Sequence, residues 1–202
     1  LALRVNELPG VSFAGLMTYP PKSNSATTMN NFFNEAKNLI ELSGLELKTI
    51  SIGGSPQMWK AHEVPLATEY RVGTYIYNDK SLIVAGACTI EDCALTILAT
   101  VISTPAPNRA VIDAGSKVLT SDLMGLEGHG LIVGYPDLTI SQLSEEHGCI
   151  TSNTSTNLRV GQRIQVIPNH ACVVSNMVDH VVFIEDDQVL MQKPVVARGK
   201  VW

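Results

Sequence analysis

Residues 47–56 read LKTISIGGSP and join an alternating apolar run to two glycines, a serine and a proline. The alternation is typical of a β-strand, and the glycines and the proline end it. Glycine has no Cβ, so its backbone N–H groups can approach an anion such as phosphate closely. Taken alone, a turn that needs a positive φ is the simpler explanation of the same two glycines.

The segments on either side of this stretch predict an α/β domain. Residues 11–19 have the pattern of a buried strand, and a third strand is predicted over residues 69–77 after a short polar segment. Between the first two strands, apolar residues at helical spacing predict a helix that ends before Gly44; they are Phe32, Phe33, Ala36, Leu39 and Ile40. Strands that alternate with helices favour parallel pairing, with ligands bound where the strands end.

The pattern changes near residue 80, where short β-rich runs replace the helical spacing. These runs cover residues 82–87, 94–103, 110–113, 130–134, 163–167 and 181–185. We therefore expect a fold of class α/β plus β, with an α/β domain over residues 1–79 and a mostly antiparallel β domain over residues 80–202.

Composition narrows the functional classes. The chain of 202 residues has a net charge of −5 and is 45% hydrophobic, and it has no basic cluster mixed with aromatics, which argues against nucleic acid as a partner. Its apolar runs are far shorter than the roughly 20 residues of a membrane helix. The same charge pattern favours a small molecule as the ligand. Four cysteines without a CxxC pair predict reduced thiols in a cytoplasmic protein.

A second glycine motif ends the third predicted strand. Arg71, Gly73 and Thr74 offer a cation, a close backbone approach and a hydroxyl group. Together with residues 53–55 they could hold one phosphate from two adjacent loops. Arg71 could contact the same ligand or pair with Glu69 or Glu63, and the spacing does not decide between these.

The sequence PNHACVV, residues 168–174, places His170 and Cys172 two positions apart. If the strand over residues 163–167 continues, both side chains leave the same face of the sheet. Imidazole and thiolate are good zinc ligands, and two of them suit a catalytic metal that keeps positions for water and substrate. Alone, a half-buried histidine beside a small apolar cysteine is the simpler interpretation. His129 and His147 could add a third ligand or an acid/base group, but the spacing supports neither role.

Seven motifs, in their order and spacing, resemble the D-threonine aldolase and D-serine dehydratase family. They lie at residues 15–19, 53–56, 68–75, 113–117, 146–148, 168–172 and 197–200. The resemblance implies a fold-type III pyridoxal-phosphate enzyme, in which an alanine-racemase-like (β/α) barrel precedes a β domain. It also implies a homodimer that acts on small D-amino acids.

The resemblance further implies a set of site residues. The cofactor phosphate would lie at Gly53, Gly54, Ser55, Gly73 and Thr74. Arg71 would lie near the pyridine nitrogen, and Tyr19 would be another neighbour of the cofactor. His170 and Cys172 match the family's metal pair, where the cysteine favours zinc over manganese.

One departure concerns the Schiff-base lysine, which relatives carry on the first barrel strand. None of the lysines present, including Lys22, Lys117 and Lys200, lies in a matching motif. The catalytic lysine is therefore expected outside this chain, which resembles the C-terminal half of a longer protein. The segment alone is expected to be inactive without the N-terminal half of the barrel.

The expected function is a metal-dependent lyase of D-3-hydroxy amino acids, which cleaves them by a retro-aldol reaction or eliminates water. An amino-acid racemase is a second hypothesis, although racemisation needs no metal at a β-hydroxyl group. A third is a non-catalytic fragment that lacks the Schiff-base lysine, which would leave the metal pair without a purpose.

Overall fold

The computed structural model describes residues 1–19 and 26–200. The chain divides into two compact units, Leu1–Tyr75 and Ile76–Trp202. The roles that the sequence assigns to residues 1–79 and 80–202 stay predictions, and Lys22 lies outside the described residues. Among the helices of the described residues, none has the length and apolarity needed to cross a membrane.

The first unit contains a small parallel sheet. Its strands β1, β2 and β3 pair in that order, each parallel to the next. The elements are α1 (Ala2–Glu7), β1 (Gly15–Met17), α2 (Ala26–Leu42), β2 (Thr49–Gly53), a 3-10 helix (Ser55–Glu63), β3 (Glu69–Arg71) and a short 3-10 helix (Thr74–Ile76). The predicted parallel β/α arrangement is confirmed.

The predicted helix is confirmed as α2, and one stripe of it forms the core of this unit. Phe33 is fully buried and packs with Met29, Ile50 and Ile52. Leu39, which also fits the helical spacing, is 63% exposed, because a helix on one side of a sheet buries only one face.

Two expectations for the strands of this unit are wrong. The buried strand over residues 11–19 is only Gly15–Met17, and none of its three residues is fully buried. Gly15 passes so close to the backbone of Thr49 that a Cβ there would clash, and pairing begins only at this point. The strand expected over residues 69–77 ends at Arg71, and the segment before it contains the long 3-10 helix.

The second unit is mostly antiparallel, as the sequence predicts. A six-stranded sheet has the order β6-β9-β4-β5-β8-β7, and β10 and β11 form a separate hairpin. The elements are α3 (Lys80–Val84), β4 (Ile97–Ala106), β5 (Arg109–Ile112), α4 (Ser116–Leu119), β6 (Leu131–Ile132), β7 (Thr139–Leu143), β8 (Gly148–Thr151), β9 (Arg163–Ile167), α5 (Ala171–Met177), β10 (His180–Glu185) and β11 (Gln188–Pro194).

The six-stranded sheet nearly closes on itself. The backbone N–H of His129, just before the edge strand β6, donates to the carbonyl of Ile140 on the other edge strand, β7, at 3.0 Å. The inward-facing side chains of Val101, Ile112 and Ile150 are fully buried. This curled sheet is the core of the second unit.

Residues 82–87 were expected as a β-rich run, but Lys80–Val84 is the helix α3. The side chain of Asp79 accepts the N–H of Leu82 at 3.1 Å and so caps the first turn. A cap of this kind stabilises a helix even where the apolar run is too short to show a period.

Candidate functional site

The parallel sheet of the first unit has one apolar and one polar face. Because side chains alternate along a strand, Ile52 and Tyr70 lie toward α2, and Ser51, Glu69 and Arg71 project from the other face. Ser51 pairs with Glu69 in register, and Gly53 pairs with Arg71. The cofactor residues predicted from the sequence therefore lie along the polar face and at its ends.

Arg71 is fixed by one residue of β2 and by the residue that follows β1. Its Nη1 donates to the Ser51 hydroxyl at 2.5 Å, and its Nη2 donates to the Thr18 carbonyl at 2.9 Å. The alternative of a pair with Glu69 is not what the structure shows, because Glu69 instead accepts the Ser51 hydroxyl hydrogen. These two bonds, one to β2 and one to the segment after β1, hold the guanidinium group in one place on the polar face.

The turn at Gly54 uses the conformational freedom of glycine within the protein itself. Its φ is 121°, and a Cβ there would lie 3.0 Å from the ring of Tyr19. Its N–H donates to the carbonyl of Arg71 at 3.0 Å, and its carbonyl accepts the Tyr70 hydroxyl at 3.0 Å. Burial and the nearby Tyr19 raise the pKa of Tyr70, so the hydroxyl stays protonated as that donor. The turn therefore requires a glycine at position 54, and the N–H of Gly54 is already bonded to the carbonyl of Arg71.

Gly73, unlike Gly54, is not required by the backbone conformation. Its φ is not positive, and a Cβ added there would meet no atom of residues 1–19 and 26–200 within 4 Å. Neither backbone conformation nor packing therefore requires a glycine at this position, whereas a phosphate held against the backbone would. Ser55, which ends the adjacent turn, is buried with 4% exposure. The residues of the two loops fit an anion.

In the second unit, the metal residues predicted from the sequence do not lie on a strand. β9 ends at Ile167, and His170 is the extended residue that precedes α5. Cys172 lies in the first turn of that helix and is exposed. The idea that both side chains leave one face of a continuing strand is therefore wrong, because the chain turns at Pro168 and Asn169.

His170 is paired with a residue far away in the sequence. Its Nδ1 lies 2.7 Å from Oδ2 of Asp122, and this hydrogen bond lowers the pKa of Asp122. An ionised carboxylate only accepts hydrogen bonds, so Nδ1 carries the proton and Nε2 presents its lone pair. A histidine held in this way is prepared to bind a metal through Nε2.

The sequence gives no signal for Asp122, which is 48 residues from His170 and follows the short tract Leu119-Thr120-Ser121. The structure shows how it is held: its N–H donates to the Thr120 hydroxyl at 2.9 Å. Its Oδ1 accepts the N–H of Met124 at 3.2 Å. Such local Asx and Ser/Thr turns are readable as a turn, but not as a partner of a given histidine.

A buried carboxylate fixes the backbone next to His170. The side chain of Asp79, which has 0% exposure, accepts the N–H of Ala171 at 3.0 Å through Oδ2. The N–H of Lys80 donates to the carbonyl of Pro168 at 3.0 Å, and Nδ2 of Asn169 donates to the carbonyl of Gly128 at 2.8 Å. The loop before α5 is therefore anchored at three successive points.

The donor set of this loop suits an open metal site. Across residues 1–19 and 26–200, no group of three or more His, Cys, Asp or Glu side chains is placed to hold a metal ion. Imidazole nitrogen and thiolate sulfur are zinc ligands. A site with one of each would leave coordination positions for water and substrate.

His129 and His147 differ in their surroundings. Nδ1 of His129 is buried and has no hydrogen-bond partner among the described residues, and burial together with Lys80 lowers the pKa of His129. The ammonium group of Lys80 donates to the carbonyls of Glu127 and Gly130 at 2.5 and 3.1 Å, and burial lowers the pKa of Lys80. His147 is exposed. The histidine with a constrained environment is His129.

Two of the sequence motifs pack closely against each other. A Cβ at Gly115 would clash with the carbonyls of Ser144 and Glu145, and one at Gly148 would lie 2.8 Å from the carbonyl of Ala114. Lys117 pairs with Glu146 at 2.6 Å on the surface. The motifs at residues 113–117 and 146–148 therefore form a tight backbone contact.

Sequence comparisons connect the chain with characterised enzymes. The model of the family described as the putative serine dehydratase domain matches residues 94–184. An uncharacterized protein of Mycobacterium tuberculosis is 38% identical over 129 residues, which are 61% of this chain and 97% of that protein. A D-threonine aldolase of Arthrobacter is 29% identical over 213 residues, 98% of this chain and 55% of the enzyme. The D-serine dehydratase of Dictyostelium discoideum is 30% identical over 169 residues, 73% of this chain and 42% of the enzyme.

Solved structures of similar fold include two enzymes. D-threonine aldolase from Filomicrobium marinum matches with a TM-score of 0.76 and 24% identity over 100% of this chain and 58% of that one. D-threo-3-hydroxyaspartate dehydratase from Delftia sp. HT23 matches with a TM-score of 0.75 and 23% identity over 92% of this chain and 57% of that one. A cysteine-to-alanine variant of a dehydratase of that name is described as metal-free. The chain spans about half the length of the named enzymes that it matches.

Proposed function

Because the chain belongs to the D-threonine aldolase and D-serine dehydratase family, we propose that it forms part of a lyase of D-3-hydroxy amino acids. The observation that carries the proposal is the hydrogen bond of 2.7 Å from His170 to Asp122. It leaves the lone pair of Nε2 of His170 available to a metal, two positions before Cys172 in the sequence. The reaction is either aldol cleavage or elimination of water.

Pyridoxal phosphate is the proposed organic cofactor, in keeping with the polar face of the first unit. When bound, it supplies an electron sink for charge that develops on the substrate. Gly73 would let the phosphate approach the backbone, and the hydroxyl groups of Ser55 and Thr74 would donate to it, beside Gly53 and Gly54. Arg71 is held by Ser51 and Thr18 and offers only donors to an acceptor atom. Tyr19 lies against Gly54 as a further neighbour.

The proposed metal ligands are His170 and Cys172, with zinc favoured over manganese. A divalent ion bound there supplies Lewis-acid polarisation of an oxygen such as the substrate's β-hydroxyl. Asp122 orients the imidazole ring, and Asp79 holds the N–H of Ala171 so that the start of α5 keeps its place. The metal-free form described for the dehydratase with an altered cysteine agrees with a role of a cysteine in metal binding.

The rest of the proposal concerns the complete protein. The Schiff-base lysine and the other half of a (β/α) barrel would come from outside this chain, and the active form would be a cytoplasmic homodimer. The racemase hypothesis does not explain a metal site at His170 and Cys172. The non-catalytic hypothesis does not explain why Asp122 orients His170.

The test is a product assay of the full-length protein with D-threonine, D-serine and D-alanine. Glycine with acetaldehyde indicates an aldolase, pyruvate with ammonia indicates a dehydratase, and L-alanine indicates a racemase. We expect one of the first two activities, its loss on chelation, and its loss in His170→Ala but not in His62→Ala, which changes an exposed histidine. Full activity after complete metal removal would overturn the metal role, and absence of all three products would favour the non-catalytic hypothesis.

A further inference from the structure

Two cysteines outside the proposed metal pair lie together in the second unit. Cys88 and Cys93 are both half-buried, and their thiol groups share a hydrogen bond. Sγ of Cys93 also lies 3.6 Å from the carbonyl oxygen of Thr89, so its single S–H hydrogen points to either this oxygen or the sulfur of Cys88. No function assigned above uses either thiol.

The backbone between the two cysteines is held in a closed turn. Oδ2 of Asp92 accepts the N–H and the hydroxyl of Thr89 at 2.8 and 2.9 Å. The N–H of Cys93 donates to the carbonyl of Ile90 at 3.1 Å. Asn78 anchors this turn, because its Nδ2 donates to the carbonyl of Asp92 at 2.8 Å. These bonds close residues 89–93 into a turn, and the hydrogen bond between the two thiols joins Cys93 to the residue just before that turn.

We propose that Cys88 and Cys93 form a reversible intramolecular disulfide when the protein meets a small-molecule disulfide such as oxidised glutathione. The thiolate of Cys88 attacks one glutathione sulfur, the glutathione S–S bond breaks, and the first glutathione leaves with a proton. The thiolate of Cys93 then attacks the sulfur of Cys88, and the second glutathione leaves in the same way. Two thiols are oxidised and one glutathione disulfide is reduced to two thiols.

The order of attack follows from the surroundings of the two sulfurs. Burial raises the pKa of both thiols, and for Cys93 it does so to about 12. The hydrogen bond from Cys93 acts in the opposite direction on Cys88, since it favours the Cys88 thiolate. The charges of Asp79 and Asp92 oppose the ionisation of both thiols, whereas a hydrogen bond from the backbone of Asp79 favours the Cys88 thiolate. Cys88 is therefore the first nucleophile, and the exchange is faster in mildly alkaline than in neutral buffer.

The experiment is differential alkylation of the full-length protein after incubation with oxidised glutathione. Endoproteinase Glu-C cuts after Glu91, between the two cysteines, so the disulfide appears as two peptides joined through Cys88 and Cys93. Their joined mass is lower by about 2 Da than the sum of the reduced peptides, because two hydrogens are lost, and dithiothreitol reverses the change. The same linked peptides are expected in Cys149→Ser, which serves as the matched control.

Single variants test the order of attack. Cys93→Ser is expected to stop at a glutathione adduct on Cys88, because the second thiol is missing. An adduct on Cys93 in Cys88→Ser, without one on Cys88 in Cys93→Ser, would overturn the order. Two alkylated, unlinked cysteines under conditions that add glutathione to the exposed Cys172 would overturn the proposal. So would a disulfide from Cys88 to Cys149 or Cys172. Because none of these readouts is enzymatic, they are independent of the lyase proposal.

Discussion

Nδ1 of His170 lies 2.7 Å from Oδ2 of Asp122, although 48 residues separate them in the sequence. The pair fixes the tautomer of the imidazole ring, since the carboxylate can only accept. It links the loop after α4 to the extended residue that precedes α5, and so connects a turn without apparent function to the proposed metal ligand.

Asp122→Asn should lower the metal affinity of the full-length protein by about 10- to 100-fold, as is typical when the partner of a metal-binding histidine is changed. An asparagine can still contact Nδ1, but it can present either its oxygen or its NH₂ group, so the tautomer is no longer fixed. The measurement is a zinc titration of the metal-depleted protein with a competing chelator.

The matched control for this variant is Asp137→Asn, which removes the same charge from an exposed position of the second unit. The control should bind zinc like the wild type. Equal affinity of Asp122→Asn and the wild type would show that Asp122 does not orient a metal ligand.

Asp79→Ala should lower the free energy of unfolding by about 2–4 kcal/mol, because it removes a helix cap and leaves buried donors unpaired. The carboxylate accepts the N–H of Leu82 at 3.1 Å, the hydroxyl of Ser81 at 2.6 Å and the N–H of Ala171 at 3.0 Å. Urea denaturation followed by circular dichroism measures the change. A loss no larger than that in Asp137→Asn would contradict the anchoring role.

The spacing of apolar residues and the positions of glycine and proline predicted much of the fold. α2 follows from apolar spacing, and β9 from the alternation of Arg163–Ile167, because each pattern matches the side chains that one face buries. α3 was missed because its stability depends on the Asp79 cap, and residues 82–87 carry no helical period. Asp122 could not be predicted as a partner of His170 because the contact depends on how two distant turns meet. The sequence does not distinguish the roles of Gly54 and Gly73. The structure shows that the turn requires a glycine at position 54 but not at position 73.

The stability of the second unit should fall as the pH falls from about 7 to 5, in part because of His129. Burial and Lys80 hold the folded-state pKa of His129 below its ordinary value. The unfolded state therefore binds the proton first, and the stability present above the unfolded pKa of about 6.5 is lost below it. Urea denaturation across this range should show a smaller dependence on pH in His129→Gln than in the wild type. His62→Gln controls for the removal of an imidazole group, and an unchanged slope in His129→Gln would contradict the prediction.

Gly73→Ala should separate cofactor binding from folding. A Cβ at this position meets no atom within 4 Å in the part of the chain that the structure describes, and its φ is one that alanine adopts. The melting temperature without cofactor should therefore stay within a degree or two of the wild type, or rise slightly. A phosphate held against this backbone would be displaced by the new methyl group, so the affinity for pyridoxal phosphate should fall by about 10-fold or more, which corresponds to at least 1.4 kcal/mol. Titration of the cofactor-depleted full-length protein, followed by absorbance, measures the affinity.

The comparison variant is Gly44→Ala, at a glycine with a φ of 81° that also has open space around its Cβ position. It should show the opposite result: a loss of stability from backbone strain, by about 1 kcal/mol, with cofactor affinity unchanged. If Gly73→Ala binds pyridoxal phosphate as tightly as the wild type, the phosphate does not lie at this loop. The open space at Gly73 would then have no bearing on cofactor binding, and the loop at residues 53–55 would have to hold the phosphate with Gly54 already committed to Arg71.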